Sequence, residues 1–138
     1  MKLLDNLRRG RMQKTLALAT AASALPLGAE IWFEHYKGSF GNKWMWTPIV
    51  LTPPLTAAGL AGAVSERAAT RWLPLVSGLY ALDGLIGVVT HVRGVARRPG
   101  GLGEPVYNLT MGPPLFAPGS LVLVGALGVL AALVKRER

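Results

Sequence analysis

The sequence has 138 residues, 51% of them hydrophobic, with 17 glycines, 10 prolines, no cysteine and a net charge of +8. This length gives one domain, and the lack of cysteine excludes disulfides, a thiolate metal site and a cysteine nucleophile. The positive residues lie in short blocks between apolar runs rather than in a stripe, so they read as membrane topology signals and set nucleic acid aside as a partner.

Residues 1–14 form a basic N-terminus. Met1 to Met12 reads as a short amphipathic helix with Leu3, Leu4 and Leu7 as its apolar stripe, suited to an anionic cytoplasmic leaflet. The apolar run that follows continues to Ile31, Trp32 and Phe33, longer than the roughly 7–15-residue core of a cleavable leader. Four spans are expected within a membrane domain of residues 15–138, at about 15–33, 44–64, 72–92 and 115–134. About 20 residues at 1.5 Å each cross a ~30 Å hydrocarbon layer, and in lipid such segments must be helical to satisfy their own backbone groups. Trp32, Trp44, Trp46 and Trp72 fall at span ends, where an amphipathic ring belongs. The fourth span has no polar face, which excludes a soluble bundle. The fold class is therefore all-α, an integral membrane four-helix bundle.

The two halves repeat. With a shift of 56, Gly28, His35, Lys37 and Gly38 meet Gly84, His91, Arg93 and Gly94. With a shift of 60, Pro53-Pro54-Leu55 meets Pro113-Pro114-Leu115, although the second pair precedes its span and the first lies inside. Two tandem hairpins of the same orientation predict a pseudo-two-fold axis along the membrane normal. Both histidines then share one membrane face. Ten Lys and Arg lie on the side of the termini and five (Lys37, Lys43, Arg93, Arg97, Arg98) on the other. The positive-inside rule predicts a multi-pass protein of the inner or plasma membrane with both termini cytoplasmic.

His35 and His91 are the candidate cofactor ligands. Two imidazoles on different helices are what a b-type haem iron requires, and a glycine seven residues earlier (Gly28, Gly84) shares the helix face and leaves flat space for the macrocycle. Lys37 and Arg93 suit the propionates. A quinone contact is the related alternative. The competing reading makes the histidines interfacial residues and the glycines packing residues. No close ligand pair with Glu30, Glu34 or Glu104 supports another metal.

Asp83 falls near the middle of its span, where a carboxylate costs at least ~2.5–3.5 kcal/mol. It is expected to face the interior as a proton relay or an interhelical clamp, with Tyr80, Ser23, Thr20 or another chain as its partner. Glu30 is the other acidic candidate. The segment from Gly94 to Gly112 has too many breakers for a helix and reads, with Tyr36, Phe40, Trp44, Trp46 and Tyr107, as a basic, aromatic docking surface. No hydrolase, kinase or nucleotide-binding pattern is present, so a stand-alone enzyme is not expected. The expectation is a small subunit of a larger membrane complex, redox or respiratory, holding haem or quinone near the outer face. The alternatives are a cofactor-free anchor and docking subunit, or a small oligomeric transporter or channel-like protein in which Asp83 and Glu30 line a polar path.

Overall fold

The computed structural model describes residues 2–137, with side chains from Leu4 onward. The side chain of Leu3, part of the expected N-terminal stripe, lies outside the described residues, as do Met1 and Arg138. The elements are α1 (Lys2–Arg8), α2 (Gln13–Lys37), a 3-10 turn (Lys43–Trp46), α3 (Thr47–Val64), α4 (Glu66–Ala96), a second 3-10 turn (Gly101–Gly103), α5 (Pro105–Met111) and α6 (Phe116–Leu133). Four helices are long and apolar enough to cross a membrane, α3 counting with the turn before it. The chain is a multi-pass, all-helical membrane bundle.

Several boundaries depart from the sequence reading, the first span running to Lys37 rather than about 33. The third span starts at Glu66 rather than about 72, because the Ser65 hydroxyl accepts the Ala68 N–H and caps the helix. It also runs on to Ala96, past the lipid-length window. The segment 94–112 does contain a helix, α5. Its breakers cluster before it, where Gly100 and Gly101 take left-handed backbone, and Pro105 then starts the helix at its first turn.

Around the bundle α2 packs on α3 and α6, α4 packs on α3 and α6, and α2 and α4 barely touch. The contacts rest on small residues, as lipid-embedded helices require, since only close van der Waals approach holds them together. A Cβ on Gly59 would meet the Ala17 carbonyl at 2.8 Å and the Ala21 N at 3.0 Å. A Cβ on Gly125 would meet the Ser77 carbonyl at 2.6 Å and the Ala81 N at 2.8 Å. The same atoms recur, offset by 60 residues in α2 and α4 and by 66 in α3 and α6. The two hairpins thus pack through the same kind of small-residue contact, but in a different register from the sequence motifs. Pro53 and Pro54 lie inside α3 while Pro113 and Pro114 precede α6, so they are not equivalent. In the packing register His35 answers to Val95 and His91 to Ile31, which sets the two histidines one turn, about 6 Å, apart in height.

At the end bearing the termini, the residues after α6 close the bundle. The Lys14 and Thr15 N–H groups donate to the Glu137 carboxylate at 2.7 and 2.8 Å, and the Thr15 hydroxyl donates to it at 2.8 Å. Arg136 donates to the Gly62 and Ala63 carbonyls at 3.0 and 2.7 Å and to the Gln13 amide oxygen at 3.1 Å. Adjacent residues of opposite charge therefore cap opposite helix ends, an anion at the N-terminus of α2 and a cation at the C-terminus of α3. Burial pushes the Glu137 carboxyl up, but the bonds from Thr15 and Lys14 outweigh it and hold it below its ordinary 4.5. A lowered carboxyl stabilises the fold fully above its unfolded value and loses that contribution as pH falls through the lower folded value. Glu137→Gln is expected to cost about 1 kcal/mol at neutral pH. The gap to the parent protein, read from detergent-phase thermal unfolding, should close below pH 4.5; a constant gap would refute the cap.

Candidate site at the histidine end

The opposite end gathers most of the chemistry-bearing residues. α2 ends at Lys37, and the chain turns through Ser39 and Phe40, both in left-handed backbone. Asn42 then accepts the Trp44 N–H at 3.0 Å and starts the 3-10 turn that delivers Thr47 to the head of α3. This turn brings Met45 beside His35. His35 Nδ1 is buried without a hydrogen-bond partner. His91 donates its Nδ1–H to the Pro114 carbonyl at 2.6 Å. A carbonyl can only accept, so this bond fixes the tautomer whose Nε2 carries the lone pair.

Asp83 bonds to Thr47 at 2.6 Å, tying α4 to α3. The sequence points to Tyr80, Ser23, Thr20 or another chain as its partner; Thr47 escapes sequence reasoning because it precedes the proline-rich start of a helix 36 residues away. The Thr47 hydroxyl also reaches the Trp44 carbonyl at 2.8 Å. Its one proton is shared between two acceptors, the Asp83 carboxyl oxygen and the Trp44 carbonyl. One turn deeper, Tyr80 is fully buried with its hydroxyl 3.3 Å from Thr52, whose own hydroxyl donates to the Pro48 carbonyl at 2.7 Å. Glu30 stands apart from this polar column, on an exposed part of α2. Lys37 pairs with Glu34, and Arg93 is exposed.

The glycines beside the histidines are occupied by neighbouring helices. A Cβ on Gly28 would sit 2.5 Å from the Thr52 side chain. One on Gly84 would sit 2.8 Å from Leu121, the Pro118 carbonyl and the Val122 N. A macrocycle finds no flat space there, and both glycines serve helix packing. The imidazole geometry is another matter: an Nδ1–H held by a carbonyl with a free Nε2 is how ligating histidines are oriented.

The rim of this end is aromatic. Trp32 stacks on Tyr36 at 5.2 Å, Phe40 stacks on Trp46 at 4.2 Å, and the Lys43 ammonium lies 5.6 Å from the Trp44 ring centre. On the other hairpin, α5 exposes Val106, Tyr107, Leu109 and Met111. It is held by buried Asn108, which donates to the Pro99 and Gly101 carbonyls at 3.0 and 2.7 Å and accepts from Arg98 at 3.2 Å. Comparison with protein-family models, curated proteins and solved structures finds no match.

Proposed function

We propose that this chain is a small subunit of a larger membrane complex, anchored by its four-helix bundle and docked to its partner through the histidine end. One observation carries the reading: the histidine end presents uncovered aromatic and apolar side chains beside Lys37 and Lys43. An extramembrane partner uses such aromatic anchors framed by charge. The positive-inside count supports an inner or plasma membrane with the termini cytoplasmic and the docking end outside. A redox or respiratory complex is the second reading, and the free Nε2 of His91 with the unpartnered Nδ1 of His35 favours it. A haem or quinone there would sit at the rim, outside the packed glycines. The self-contained transporter is disfavoured, because Asp83 is bonded between α3 and α4 whereas Glu30 faces outward.

Native-expression membranes solubilised in mild detergent test this. The expected result is a stoichiometric hetero-assembly that dissolves in a Trp44→Ala/Tyr107→Ala variant of unchanged helicity. A discrete homo-oligomer or free monomer would overturn the subunit reading. A Soret band in the same preparation, lost in His35→Ala and in His91→Ala, assigns haem, and a colourless assembly at full occupancy removes it.

A further inference from the structure

The arginine block on the histidine end runs against the charge bias of the rest of the chain. A charge placed against that bias calls for a local use, and Arg98 has one in holding Asn108. Arg93 and Arg97 are both exposed, and among the described residues neither meets a carboxylate. Arg93 lies in the last turn of α4 and Arg97, four residues on, caps its end, so both project on the same side. Below Arg93 the same helix carries a shallow, open groove lined by Leu85, Ile86, Val89, Thr90 and Arg93 itself. The Thr90 hydroxyl is committed to the Ile86 and Gly87 carbonyls at 3.0 and 2.9 Å, so recognition of an anion falls to the guanidinium groups. Depth fits as well. Trp72, an exposed ring near the other end of α4, lies 21 residues from Arg93, about 31 Å along the axis and close to one hydrocarbon thickness. Arg93 and Arg97 therefore stand at headgroup level when Trp72 sits at the opposite interface, and the groove descends from them into the acyl layer.

We infer that this groove seats an anionic phospholipid, its acyl chain against Leu85, Ile86 and Val89 and its phosphate against Arg93 and Arg97. An acyl chain matches the apolar floor, and a guanidinium pair matches a phosphate better than it matches a zwitterionic headgroup, whose own cation it repels. The occupant covers an apolar face of α4 that no other part of the described chain covers.

The test uses the full chain in mild detergent, delipidated and titrated with phosphatidylglycerol, phosphatidylcholine or inorganic phosphate under native mass spectrometry. One phosphatidylglycerol is expected to bind in preference to phosphatidylcholine, and Arg93→Gln/Arg97→Gln should weaken it about thirtyfold. Val89→Trp fills the groove and keeps both charges, so it carries the test even where the arginine variant folds poorly; it too should lose the lipid. Arg67→Gln/Arg71→Gln at the other end should retain it. Unchanged binding in either groove variant, equal loss in the control, equal affinity for phosphatidylcholine, or displacement by inorganic phosphate at matching concentration would each overturn the proposal.

Discussion

Gly125→Leu is expected to break the contact between α4 and α6, at a cost of about 3 kcal/mol or more. The obstacle is backbone: a Cβ at this position already lies 2.6 Å from the Ser77 carbonyl and 2.8 Å from the Ala81 N, and a helix cannot move those atoms without moving itself. Gly59→Leu should do comparable damage between α2 and α3, because Ala17 and Ala21 stand in the same relation to it. Gly78→Ala is the control. Nothing lies within 4 Å of its Cβ, and removing a mid-helix glycine should leave stability unchanged or raise it by up to about 1 kcal/mol. Denaturant titration in detergent micelles, followed by helicity, orders the three. If Gly125→Leu melts with Gly78→Ala, the small-residue crossing is not what holds the hairpins together.

Tyr80→Ala is expected to cost about 3–5 kcal/mol. The side chain is wholly buried where α4 faces α3, and its removal opens a cavity beside Thr52 that neighbouring helices cannot collapse into without separating. Tyr80→Phe separates the ring from the hydroxyl. It removes only the 3.3 Å contact with Thr52, and hydrogen bonds between helices in lipid average about 0.6 kcal/mol. The same micellar titrations should therefore show a loss at least four times larger for alanine than for phenylalanine. Losses of similar size would mean that the Thr52 contact, and not ring packing, organises the centre.

The spans were legible in the sequence because lipid imposes a length and composition that few other environments require. The motifs at Gly28, His35, Gly84 and His91 point to two like hairpins but not to how they pack, because the register is set by the contacts of Gly59 and Gly125, which lie outside those motifs. Asp83 was readable as an interior acid, but its bond to Thr47 depends on how α3 and α4 are placed, which no local pattern encodes. α5 was hidden for a different reason. Its glycines and proline look like helix breakers, yet they lie before the helix and position it, and the hydrogen bonds of Asn108 supply the anchorage that seven residues cannot supply for themselves. In the sequence, the tail after α6 shows only its charge. Its second property, reaching helix ends more than 70 residues away in sequence, is invisible without the fold.

That tail sets an order of events during synthesis. The first hairpin, α2 with α3, emerges from the ribosome long before residues 136 and 137 exist, so its N–H groups at Lys14 and Thr15 and its carbonyls at Gly62 and Ala63 wait without their protein partners. They are satisfied only after α6 has crossed the bilayer and turned its exit toward them. A product truncated before residue 136 presents these helix ends without their protein partners.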